Sequence, residues 1–167
     1  MARSAGGHTV AGEPTNNCEA DELSDIKRIF GVVADYEARY RHPDLAAFEV
    51  SEIYYLSAQH PKTESTKNVW PSPFPQVSCA GVYAIFDSRL RLLYIGKTVN
   101  FGSRLSQYFK YAPNKTCNVI GDWGHESPES LITIAVSEPF EASSFEEYLI
   151  GRLDPPLNRI KTSPNVQ

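Results

Sequence analysis

The sequence predicts an α+β domain, and three observations predict it. Two short β-rich runs, GVYAIFD (81–87) and RLLYIGK (91–97), flank a polar turn; a third β-rich run, LITIAVS, occupies 131–137; and apolar side chains recur with helical spacing at 24–40, 101–110 and 144–153. A chain of 167 residues fits one ordinary domain with a terminal extension, and 41 % hydrophobic and 11 % aromatic residues can fill its core.

Taken in order, residues 1–20 are rich in Gly, Ala, Ser, Thr and Asn without apolar periodicity and read as a flexible tail. The tail lacks an apolar signal core, and apolar runs fall well short of the roughly 18 residues that span a bilayer, so a cytoplasmic protein without membrane contact is expected. From Ser24, a candidate N-cap, Ile26, Ile29, Phe30, Val33 and Tyr40 follow the amphipathic pattern of a helix. Residues 45–57 (LAAFEVSEIYYLS) fit helix and strand almost equally. Four prolines, Pro61, Pro71, Pro73 and Pro75, mark 61–79 as a loop or linker. The expected organisation is a tail (1–20), an N-terminal extension with a Pro-rich linker (21–78), a main domain (79–160) and a C-terminal tail (161–167).

The two β runs read as a hairpin. With the turn centred between Ser88 and Arg89, paired residue numbers sum to 177 and Tyr83 lies opposite Tyr94. Both tyrosines then share one face, while Val82, Ala84 and Phe86 share the other with Leu93 and Ile95. A helix follows near Phe101 to Lys110, with Leu105/Phe109 and Arg104/Tyr108 as i, i+4 pairs. Residues 112–130 read as loop. A last helix is expected from about Ser144 to Leu153, capped by Ser143 or Ser144 with Glu146 or Glu147 three residues on, and stopped by Pro155-Pro156.

Charge is uneven along the chain. Residues 1–80 hold 7 Lys+Arg against 11 Asp+Glu, and residues 81–167 hold 9 against 9, so the whole net charge of −4 belongs to the first half. Between Ser88 and Gly121 there are six bases (Arg89, Arg91, Lys97, Arg104, Lys110, Lys115) and no acid, a stretch that favours an anionic ligand. Three widely spaced cysteines (Cys18, Cys79, Cys117) and four scattered histidines (His8, His42, His60, His125) offer neither a disulfide framework nor a structural zinc pattern.

Singly, the polar residues of the second half have ordinary readings: strand tyrosines pack, a lysine after a strand is solvated, Glu146 closes a capping box, and Asn158 is a turn residue. Their order carries more. Gly81-Val82-Tyr83, ten intervening residues, Tyr94-Ile95-Gly96-Lys97-Thr98, then Arg104, Glu146 and Asn158 resemble the GIY-YIG nuclease family, with Val82 in place of the usual Ile. The segment 104–109 (RLSQYF) is similar to the corresponding part of the excision-repair incision subunit, which also has tyrosine where many members have histidine and this chain has Tyr108. Residues 146–150 through Pro155-Pro156-Leu157-Asn158 resemble the closing helix and its proline-asparagine end.

The resemblance, over about residues 79–160, implies a three-stranded antiparallel sheet flanked by helices and a metal-dependent DNA endonuclease. By resemblance, Glu146 is the sole protein ligand of a Mg²⁺ ion, for which Mn²⁺ can substitute, and Arg104 holds the phosphate. Lys97 with Tyr83 and Tyr94 positions and activates the attacking water, Gly96 and Tyr108 support the site, and Asn158 braces its end. A tyrosine acting as base needs cationic help, which Lys97 and Arg104 would supply. Between the adjacent glutamates, a helix capped by Ser144 puts Glu147 at N3 and frees Glu146 at N2 for the metal. A non-cleaving nucleic-acid-binding or protein-interaction module on the same fold is the alternative. Substrate preference is expected to lie in 112–130 and the N-terminal segment, because phosphate contacts carry no base information.

Overall fold

The computed structural model describes residues 24–58 and 67–158; the tails expected at 1–20 and 161–167 lie outside the described residues. In chain order the elements are α1 (Ser24–Tyr40), β1 (Glu49–Val50), β2 (Tyr54–Tyr55), β3 (Gly81–Phe86), β4 (Leu92–Thr98), α2 (Phe101–Tyr108), β5 (Phe109–Tyr111), β6 (Cys117–Val119), β7 (Ser130–Ala135) and α3 (Glu141–Leu153). No helix among the described residues is long and apolar enough to cross a membrane.

Strand alternation builds two cores, one on each face of an antiparallel sheet. β3 lies between β4 and β7, and β1 and β2 both pair with β7, so the ambiguous segment 45–57 resolves as a broken edge strand. Ser51 bridges the break: its N–H donates to the Thr133 carbonyl (2.9 Å), and its Oγ accepts from Thr133 N–H (3.0 Å). Val82, Ala84, Phe86, Ile95 and Ile134 pack under α1 and α3 with Ile29, Val33, Phe145 and Leu149. Tyr83, Ile85 and Leu131 face the other way, against Phe101, Leu105 and Phe109 and against Trp70 and Phe74 from the proline-rich segment. Between Trp70 and Phe74, therefore, that segment contributes to a core instead of looping free. Apolar side chains override its composition.

The hairpin register differs from the sequence expectation. Gly81 pairs with Thr98, Tyr83 with Gly96 and Ile85 with Tyr94, a sum of 179, and then Phe86 pairs with Leu92, leaving Leu93 as the extra residue of a bulge. Asp87 sets this turn, since its Oδ1 accepts the N–H groups of both Arg89 and Arg91 (2.9 Å each), and Leu90 adopts a left-handed conformation at φ 60°. A two-residue slip preserves the face of every side chain outside the bulge, so the tyrosines still share a face. Leu92 takes the place expected for Leu93 in the core.

Two further boundaries move. α2 ends at Tyr108, and the chain turns directly into a β5–β6 ladder, so 112–130 is not all loop. Ser24, expected as N-cap, opens the described part of α1, and the residues before it lie outside the described residues. α3 begins at Glu141, not near Ser144, after a turn in which Glu141 N–H meets Glu138 O (2.9 Å). The Ser144 hydroxyl is engaged with the Glu141 carbonyl (3.1 Å) and Tyr36 OH (3.0 Å), so it caps nothing. Glu146 and Glu147 are therefore the sixth and seventh helical residues, beyond the reach of an N-terminal capping box.

What fixes the start of α3 comes from 100 residues upstream. Arg41, its side chain 4 % exposed, donates to Glu141 Oε1 (3.0 Å) and Oε2 (3.2 Å), pairs with Glu37, and lies over the Phe48 ring at 4.1 Å. Arg41→Met leaves the buried Glu141 carboxylate without its partner and is expected to cost about 3 kcal/mol. Adding Glu141→Met should recover part of that loss. Urea-denaturation midpoints of the two proteins check both outcomes.

Candidate active site

The polar face of the hairpin and the first turns of α2 form one site. Tyr83 projects from β3 with no exposed surface, opposite Gly96 on β4. A Cβ at Gly96 would lie 2.6 Å from Tyr83 Cζ and 2.8 Å from Tyr94 Cε1, so the glycine is required by the rings that cross it. A Cβ at Gly81, the other end of the motif, would lie 2.8 Å from Phe101 Cζ. Tyr83, Tyr94 and Tyr108 cluster, with ring centroids 6.2 Å (Tyr83–Tyr94) and 6.3 Å (Tyr83–Tyr108) apart.

α2 carries Arg104 to this cluster. The helix starts through a Thr98–Asn100 turn, with Asn100 Oδ1 accepting from Ser103 N–H (2.8 Å). Its first amides are all engaged: Phe101 with Cys79 O, Gly102 with Val77 O, and Arg104 with Asn100 O. An anion near α2 must therefore be held by side chains and not by the helix terminus. Arg104 Nε donates to Tyr83 OH (3.3 Å) and Nη1 to Gln107 Oε1 (3.1 Å), and the guanidinium lies over the Tyr108 ring at 5.2 Å. Two donors of a five-donor fork are thus used to aim it.

Arg104 and Lys97 line a cleft of about 270 Å³ with Thr98, Asn100, Ser103 and Gln107. Lys97 Nζ meets Glu146 Oε2 from α3 at 2.9 Å, and Glu146 is the less exposed partner, 16 % against 42 %. Glu147 is exposed. The glutamate that meets Lys97 is therefore chosen by helix phase, with Glu146 on the side of buried Ala142 and Leu149, not by the capping argument. Asn158 stands at the open edge of β4: its Oδ1 accepts Ile95 N–H and its Nδ2 donates to Ile95 O, each at 2.7 Å. This clamps the backbone between Tyr94 and Gly96.

Burial, followed by the neighbouring Tyr108 hydroxyl, pushes the Tyr83 phenol well above its ordinary range, against the opposing pull of Arg104. Tyr94 is raised too, by burial first, then by Tyr108 and the Glu146 carboxylate. Arg104 supplies the cationic help expected of it but is outweighed, so both phenols hold their protons at neutral pH.

All eight residues singled out in the sequence thus lie in or against one site. Two others escaped notice. Gln107 holds Arg104, and Trp123 packs edge-on against Tyr94 (6.0 Å) and Tyr108 (5.5 Å). The signal for Trp123 was a lone tryptophan between Gly121 and Gly124, both with positive φ.

A carboxylate with one mobile cationic partner suits a hard divalent ion that brings its own waters. Among the described residues no cluster of three or more His, Cys, Asp or Glu forms a closed metal cage.

The second half of the sequence is similar to known proteins. The model of the GIY-YIG catalytic domain matches residues 79–161. The protein named UvrABC system protein C from Pseudomonas protegens is 42 % identical over 81 residues, covering 47 % of this chain and 12 % of that protein. Its namesakes from Pseudomonas putida (41 %) and Pseudomonas entomophila (40 %) match over the same lengths. The chain therefore spans only about 12 % of the length of these relatives. No solved structure matches.

Gly96→Ala is expected to displace the tyrosine rings and to cost about 1–3 kcal/mol, as overpacking does. Thermal melting and tyrosine near-ultraviolet circular dichroism read the two effects. The raised phenols set a pH window: in the unfolded chain they titrate near about 10, so their contribution is complete below that pH and is lost as pH rises toward the folded values. Wild-type stability should fall above pH of about 10, and less so in Tyr83→Phe, by denaturation across an alkaline series.

Proposed function

Residues 79–161 of this chain are a GIY-YIG catalytic domain, which supports a nuclease-type function, and from its cleft we propose a metal-dependent DNA endonuclease. The observation that carries the reading is one cleft lined by Arg104 of α2 and Lys97 of β4, with Glu146 of α3 paired to that lysine and buried Tyr83 bonded to that arginine. In this reading Arg104 grips a backbone phosphate with the donors that Tyr83 and Gln107 leave available. Lys97 leaves Glu146 for the phosphate as charge builds on it. Glu146 would hold the divalent ion, Mg²⁺ or Mn²⁺, which when bound polarises the phosphate and acidifies water.

The tyrosines divide their work by exposure. Tyr83 has no exposed surface and acts as a positioning residue for Arg104, whereas half-buried Tyr94 can hydrogen-bond the attacking water. Tyr108 supports the guanidinium from beneath, and Asn158 and Gly96 keep β4 in place.

Incubation of the full chain with supercoiled plasmid or branched DNA and Mg²⁺ or Mn²⁺ tests the reading. The wild-type protein should nick. Glu146→Gln should lose cleavage by about 10²-fold or more while keeping fold and DNA affinity, and Glu147→Gln should cut nearly normally. A dead Glu147→Gln beside an active Glu146→Gln would overturn the assignment. DNA binding without any nicking would favour the non-cleaving module.

A further inference from the structure

The side of α2 away from the arginine cleft borders a second concavity that the proposed chemistry does not use. This groove of about 620 Å³ runs between the Trp70–Phe74 turn and β5, and Gly102 and Ser106 of α2 form one wall. Its floor is aromatic, from Trp70, Phe74 and Phe109, all buried. Its rim carries Tyr111, 56 % exposed, and the exposed Lys110. No acidic residue lines it among the described residues, and it lies within the acid-free stretch 88–121 on the α2–β5 side. The buried indole N–H of Trp70 lacks an acceptor.

Aromatic surfaces edged by a cation are the chemistry of single-stranded nucleic acid: rings receive base faces and the cation tracks the phosphates. A base in a duplex shows the grooves only its edges, so such a surface selects unpaired bases. The arginine cleft and this groove flank a single helix about 10–12 Å across, a width that a few nucleotides of one strand cover. We propose that the groove binds unpaired nucleobases of the strand whose phosphate lies at Arg104, so that the substrate class is DNA with a single-stranded segment adjoining the cleaved bond. This rests on the nuclease reading and adds its substrate class.

The test is fluorescence anisotropy of the full chain carrying Glu146→Gln, without divalent ions, on a short duplex with a thymidine extension of about six nucleotides. The controls are the blunt duplex and the same extension made abasic, which keeps every phosphate. The thymidine extension should bind about tenfold more tightly than either control, and Tyr111→Ala should lose most of that difference while binding the blunt duplex unchanged. Equal affinity for thymidine and abasic extensions, or an unaffected Tyr111→Ala, would overturn the proposal, and a groove that instead serves a protein partner would give that result. Cleavage is read separately in the wild-type background with Mg²⁺. Nicking without any preference for the extension would sink the groove alone, whereas base-dependent binding with no nicking of any DNA would sink the nuclease reading and leave the groove.

Discussion

Tyr83 faces Gly96 across the β3–β4 ladder, and the rest of the site depends on that pairing. Only where β4 lacks a side chain can a buried ring cross beneath it and bring its hydroxyl to Arg104. The same pairing places Tyr94 beside it on β4, and with Asn158 holding the Ile95 backbone, β4 cannot slide without losing both bonds of the clamp. Register, glycine and clamp therefore form one constraint, and the side chains that meet the cleft are mounted on it.

Much of this was legible in the sequence for a simple reason. Side chains alternate with a period of two, so a hairpin misplaced by two residues still puts Tyr83 and Tyr94 on one face and Val82, Ala84 and Phe86 on the other. α1 was legible through its apolar stripe, although Phe30, included in that stripe, proves exposed while Tyr36 is buried. The failures share a cause as well. The start of α3 is fixed by Arg41, 100 positions away, and the Ser144 hydroxyl is drawn to Tyr36; local capping rules see neither partner. β1 and β2 are two residues each, too short for any periodicity to show, and exist as strands only because β7 offers its edge.

The acidic first half takes on a structural meaning. Asp25 accepts the Leu92 N–H (2.8 Å) at the bulge, and Glu37 accepts the Phe48 N–H (2.6 Å). These carboxylates satisfy backbone donors of the fold and tie α1 to the bulge of β4 and to the approach of β1. The basic stretch is likewise divided. Arg91 is held by Asp87 at 2.5 Å, whereas Arg104, Lys97 and Lys110 lie along the cleft and groove on the two sides of α2. Net charge thus hides a separation of roles that only the three-dimensional pairing reveals.

The ion pair between Lys97 and Glu146 completes the logic of the proposed chemistry. Two opposite charges in a half-buried cleft must be paired with each other when nothing else is there. Their exposures differ: Glu146 is fixed on α3 next to Phe145 and Leu149, while Lys97 sits at the mouth on a flexible stem. The lysine is therefore the partner that can move. In the proposed chemistry an arriving phosphate would give it a second anion without carrying it far, and its departure would free the carboxylate for a cation. Phosphate and divalent ion would then assist each other's binding, since each relieves the charge that the other would leave unpaired. On the proposed reading Glu146, paired until substrate arrives, would be the one residue needed to hold a hard divalent ion, which favours oxygen ligands and retains water.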